Sequence, residues 1–151
     1  MIMKKVIFYL SMILIFGCQK NIEKKIVNKI NQQCKTTDTC IVTMSNVTDF
    51  EWEKMYIFNE TSRLEEINKV LGFNYEYFED VARRIIFTKS NKVVYHEDDF
   101  PYPEESPKGK VFFKLGNDSL HYRVFLMKNA VFKTERKKIE SAVYYELTPL
   151  E

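Results

Sequence analysis

Glycine and proline are scarce: four of each in 151 residues. That excludes collagen-like repeats and low-complexity linkers. No Gly-x-Ser-x-Gly elbow and no phosphate-cradling glycine loop occurs. There are two histidines, His96 and His121, and neither is near a cysteine in sequence, so no zinc-type ligand set is legible. Charge of one sign is also missing. The chain holds 23 basic against 21 acidic residues, and two of the lysines, Lys4 and Lys5, fall in the first 17 residues, which have no acid. Without those residues the charges balance, so overall charge gives no hint of a nucleic-acid partner, although a local basic patch stays open. The apolar run Val6–Phe16, broken only by Ser11, is shorter than the roughly 20 residues a bilayer crossing takes. There is no internal repeat.

What is present is core material. Hydrophobic residues make up 45% and aromatics 15% of the chain, enough for one packed domain and against global disorder. The N-terminal residues form a leader: Lys4 and Lys5, then the apolar run, then Gly17-Cys18. Ile15-Phe16-Gly17-Cys18 resembles a bacterial lipobox, with Phe16 larger than usual two places before the cysteine. The resemblance implies that residues 1–17 are removed and that Cys18 becomes a lipidated N-terminus. Several acyl chains, palmitate among them, would make that anchor firm, because each buried CH₂ contributes about 0.8 kcal/mol. The partner so implied is the membrane of an exported, envelope-located protein. Gln19, where an aspartate would signal inner-membrane retention, favours the outer membrane in a Gram-negative cell. An uncleaved anchor helix or an ordinary secretory leader are the other readings.

Setting Cys18 aside leaves Cys34 and Cys40, an even pair in an oxidising compartment, for which a disulfide is expected. A redox pair would more often read Cys-x-x-Cys. Asn21 caps an amphipathic helix over 22–33, with Ile22, Ile26 and Ile30 on one face. That helix packs on the sheet or, in a second reading, lies on the membrane. Residues 18–38 thus form an anchor region with a helix, and 39–151 a single domain.

Within the domain, 40–44 reads as a first strand. Residues 50–58 read as a second, with Phe50, Trp52, Tyr56 and Phe58 on one face. Ser62-x-x-Glu65 fits a capping box for a helix ending at Gly72. Residues 83–88 and 92–96 form a hairpin around Ser90-Asn91, and 110–115 and 120–127 a second. Residues 133–140 are so charged that a solvated linker or bulged edge is expected. Residues 142–147 form the last strand. The fold class is therefore α+β: a mainly antiparallel sheet of about six or seven strands packed with two helices.

Candidate binding residues are Trp52 and Tyr56, which are more often core than ligand platform, and Phe100 and Tyr102. The latter pair lies in the acidic, proline-rich stretch 98–107, which is either a connector or a loop presented to a protein partner. His96-Glu97-Asp98-Asp99 is oxygen-rich but lacks calcium-loop spacing, so it reads as hydrated surface. No catalytic set, metal site or cofactor site is legible, and the chain reads as a non-enzyme.

Phe50-x-Trp52-x-Lys54-x-Tyr56-Ile57-Phe58, Leu64-Glu-Glu-Ile-Asn-Lys-Val-Leu-Gly72 and Ile86-Phe-x-Lys-x-Asn-Lys-Val-Val-Tyr95 together resemble a family of small bacterial lipoproteins of unknown function. The resemblance covers about residues 40–95, with Glu53 where the family often has aspartate, and implies no reaction. The expected function is a membrane-anchored binding or structural module of the envelope. The alternative is an immunity-type protein that neutralises a toxic or lytic enzyme.

Overall fold

The computed structural model describes residues 21–34, 37–116 and 120–150. The leader, Cys18 and the expected turn at 117–119 lie outside them. The elements in order are α1 (Ile22–Gln33), β1 (Thr39–Thr43), β2 (Lys54–Phe58), α2 (Leu64–Leu71), β3 (Arg83–Lys89), β4 (Lys92–Asp99), β5 (Val111–Phe113), β6 (Tyr122–Leu126), β7 (Val131–Ile139) and β8 (Ala142–Pro149). The α+β class holds, but eight strands form two four-stranded sheets where one sheet was expected. Their orders are β1-β7-β8-β5 and β4-β3-β2-β6, antiparallel except for the β5–β8 pair.

The Asn21 side chain accepts a hydrogen bond from Lys24 N–H at 2.8 Å, so α1 starts where the sequence puts it. Ile22, Ile26 and Ile30 are buried in one cluster with Val42, Phe132 and Leu147 of the first sheet and Met55, Phe87 and Phe125 of the second. The helix therefore packs on the sheets by its isoleucine face. Cys34 and Cys40 stand at disulfide distance, Cα atoms 5.8 Å apart, between the end of α1 and the start of β1. A second, smaller cluster lies under α2: Tyr56, Phe58, Ile67, Leu71, Tyr75 and Ile86.

Four local expectations are corrected. The 50–58 strand begins only at Lys54, because the chain bends across 49–53. The aromatic face is thereby divided: Phe50 and Trp52 join the inter-sheet core, whereas Tyr56 and Phe58 face α2. The capping box is absent. Arg63 occupies the cap position of α2 with no side-chain bond, and Ser62 Oγ instead donates to the His121 carbonyl at 3.0 Å, tying the helix to β6's approach. Gly72 does take the left-handed conformation, at φ 81°. The hairpin expected from 110–127 does not form: β5 pairs with β8 and β6 with β2, so the chain changes sheets between them. Finally, 133–140 belongs mostly to β7, bonded on both sides by β1 and β8. The first hairpin is as expected, with Ser90 and Asn91 at φ 50° and 57°, the paired positive values of a type I′ turn.

Candidate binding cleft

β4 runs three residues further than expected and carries the acidic run into the sheet. Successive side chains alternate between faces. His96 and Asp98 point with Tyr56 and Phe58 toward α2, and Tyr95, Glu97 and Asp99 toward the other sheet. Arg84 and Arg83 on β3 do the same, opposite Asp98 and Asp99 respectively. The run expected at a hydrated surface is thus divided into two half-buried polar groups.

On the inner side a cleft of about 250 Å³ opens between α1, β2, β3 and β5. Ile26, Ile57, Ile85 and Phe113 supply apolar wall. Its polar lining holds four carboxylates, Glu23, Glu60, Glu97 and Asp99, against one guanidinium, that of Arg83, since the Arg84 side chain points to the other face of the sheet. Glu97 caps α1: its Oε2 accepts from Ile22 N–H at 2.7 Å, and Tyr95 Oη donates to the same oxygen. Backbone N–H groups at a helix N-terminus carry partial positive charge and favour an anion there. Burial, then the Glu97 carboxylate, pushes the Tyr95 hydroxyl well above the ordinary tyrosine range.

Glu23 extends from the first turn of α1 and accepts from Val111 N–H at 2.7 Å, pinning β5 to the helix. Burial raises its carboxyl above the usual range, and Asp99 and Glu97 add to this. The Val111 bond and Lys110 oppose it without cancelling it. Asp99 is held between Lys110 Nζ at 2.9 Å and Arg83, whose guanidinium sits 4.8 Å over the Phe112 ring.

A neighbouring recess of about 190 Å³ shares Arg83, Asp99 and Phe112 with the cleft and is closed by the 100–107 loop. Phe100 and Tyr102, stacked with centroids 6.1 Å apart, line this recess, and Tyr102 is 57% exposed. Of the four aromatic candidates, only these two adjoin the cleft. Trp52 is 1% exposed and donates to Thr48 Oγ1 at 2.9 Å, while Tyr56 is 3% exposed on the opposite face of its sheet. Glu23, Arg83 and Phe112 were not picked out in the sequence, and Glu97 and Asp99 were read there only as part of a hydrated acidic run. The signal available was the alternation Tyr95, Glu97, Asp99, visible only if the strand is carried through the acids.

On the outer side Arg84 is buried against Phe78, 4.7 Å from the ring centroid, and reaches Asp98 at 3.5 Å and the Glu79 carbonyl. Tyr77 stacks on His96 at 4.2 Å. Among the described residues, no group of three His, Cys, Asp or Glu is placed to hold a metal ion, and no helix is long and apolar enough to cross a membrane. The cleft lining contains no serine, cysteine or histidine among the described residues. Its lining offers apolar contact, carboxylate acceptors and the Arg83 guanidinium. No protein-family model, no curated protein and no solved structure matches the chain.

Proposed function

We propose that this chain is a lipid-anchored protein of the bacterial envelope whose domain binds a small amphiphile, with an apolar body and a cationic head, and does no chemistry on it. The observation that carries the binding reading is the inter-sheet cleft: apolar walls with an excess of carboxylate over guanidinium. Ligand pockets are mostly apolar, with a few placed polar groups that set orientation. An amine entering beside Glu23 would relieve the cost of burying that carboxylate. The anchor rests on the Gly17-Cys18 leader and on the resemblance to small lipoproteins, and Gln19 favours the outer membrane where one exists.

Hexylammonium and hexanoate, equal in chain length and opposite in charge, separate the head-group preference. Thermal unfolding of the intact protein should shift upward with hexylammonium and not with hexanoate, and Glu23→Gln should weaken the shift. Equal shifts from both probes, or none from either, would reject the reading. Fractionation of cells carrying Cys18→Ala tests the anchor separately, since membrane retention of that variant would refute lipidation.

The immunity-type alternative draws on a different observation, the exposed Tyr102 on a proline-braced loop at the mouth of the recess. It requires a protein partner whose capture by the domain is lost when 100–107 is deleted.

A further inference from the structure

β6 ends one sheet, with β2 on one side and, among the described residues, no strand on the other. Two hydrogen bonds bracket its ladder: Asn59 N–H to the His121 carbonyl at 2.9 Å, and Met127 N–H to the Glu53 carbonyl at 3.0 Å. The register pairs Phe58 with Tyr122, Tyr56 with Val124 and Lys54 with Leu126. In an antiparallel ladder bonded and non-bonded pairs alternate. The backbone groups of 121, 123, 125 and 127 therefore face β2, and those of Tyr122, Val124 and Leu126 face outward. The side chains of the same three residues are 37%, 43% and 45% exposed. Leu120 and Met127, also exposed, extend the apolar surface at either end.

Natural edge strands are usually blunted by charge, proline or a bulge. β6 has none of these on its open side. Its one charged residue, Arg123, belongs to the other face and donates to the Leu115 carbonyl at 3.1 Å. The opposite edge of the same sheet, β4, is protected by a register shift at Phe87/Thr88 and by Lys92.

We infer that β6 pairs with β6 of a second copy of this chain, antiparallel about a two-fold axis at Val124. The strand is its own complement in that register. Val124 meets Val124, Tyr122 meets Leu126 and Arg123 meets Phe125, so no like charges lie opposite. Every outward N–H and C=O of Tyr122, Val124 and Leu126 meets its counterpart. The apolar side chains of the two strands line one face, where cross-strand pairs stabilise a sheet. Slipping the register by one residue would set outward backbone groups against inward ones. A C₂ interface requires this kind of self-complementarity. Two four-stranded sheets then become one continuous sheet. None of these side chains lines the cleft, so the inference stands independently of the binding proposal.

The test is sedimentation of the intact protein in mild detergent, together with thiol cross-linking. Wild type should sediment as a dimer. Val124→Lys sets two ammonium groups face to face at the axis and should weaken the dimer roughly tenfold or more. Ile41→Lys, on the edge strand β1 of the other sheet, should leave it unchanged. Val124→Cys, which keeps the side chain small and needs no refolding, should give a covalent dimer with a short bis-maleimide. Ile41→Cys and the wild type should not. A monomeric wild type, a dimer that survives Val124→Lys, or a Val124→Cys protein that stays uncrosslinked while folded would each overturn the inference. A strand of another protein on this edge would appear as a heteromeric product with no homodimer, and would also overturn it.

Discussion

Arg84 offers the sharpest test of how the second sheet is held. Its side chain is 1% exposed and that of Asp98 12%, with 3.5 Å between them. One guanidinium nitrogen serves Asp98 and the Glu79 carbonyl, while Nε, Nη1 and Asp98 Oδ1 have no hydrogen-bond partner. A pair so placed loses much to desolvation and recovers only part of it. Burial raises the Asp98 carboxyl above its usual range, and Arg84 and His96 only moderate this. Arg84→Met keeps the aliphatic stem packed on Phe78 but strands the carboxylate, and should cost about 3–5 kcal/mol near neutral pH. Arg84→Met with Asp98→Leu removes both charges and all three orphaned atoms. That double variant should lie within about 1 kcal/mol of wild type or exceed it. The pair is therefore strongly non-additive, each half costly alone and cheap together.

The sign of the pH effect follows from the same geometry. A carboxyl whose folded pKa is raised favours folding while protonated, and that contribution is lost as pH rises through the unfolded and then the folded value. Removing Arg84 raises the folded value further, so the loss at neutral pH deepens. The cost of Arg84→Met should thus be smaller at about pH 4 than at about pH 7. Urea titration followed through Trp52, the one tryptophan and 1% exposed, gives midpoints and slopes for the cycle. Single variants that each cost less than about 1 kcal/mol, or a cost independent of pH, would show that water reaches this pair and would refute the burial argument.

Other perturbations isolate single effects. Gly72→Ala should cost about 1–2 kcal/mol from backbone conformation alone, since a Cβ built at φ 81° meets nothing within 4 Å. Thermal melts should place Gly72→Asn between the two. Cys40→Ser should lower stability by about 2–2.5 kcal/mol if the small loop acts through chain entropy, and adding reductant should abolish the difference from wild type. Glu23→Gln retains an acceptor for Val111 N–H but no buried charge. Because burial raises the Glu23 carboxyl, wild type loses stability as pH rises through the unfolded and then the folded pKa. The variant should therefore be the more stable at neutral pH, and the gap should close in acid.

These tests bear on what a sequence can and cannot disclose here. Helix α1 was legible to the residue because cap and apolar stripe are local, and the Ser90-Asn91 turn because its backbone demand is local. β7 was not, because Lys133, Glu135 and Lys137 sit together on one face, Glu135 bonded to both lysines at 2.8–2.9 Å, and hide the alternation of Phe132 and Thr134 beneath them. Backbone ladders on both sides hold the strand whatever that face carries. The partners of β5 and β6 were hidden for another reason. Adjacency in sequence favours a hairpin, but Phe113 and Phe125 each pack on Phe132, from opposite walls of the core, at 5.3 and 5.1 Å. A chain that must fill both walls crosses between sheets instead of turning back. The cleft lies under that crossing, where the first turn of α1 meets Glu97 of β4, 74 positions away, and Val111 of β5, 88 positions away. Glu97 bonds α1 directly, whereas the Val111–Phe113 wall of the cleft is there because β5 joins the first sheet. Trp52 and Tyr56 belong to the core, while Val111, Phe112 and Phe113 reach the cleft through that single parallel pairing.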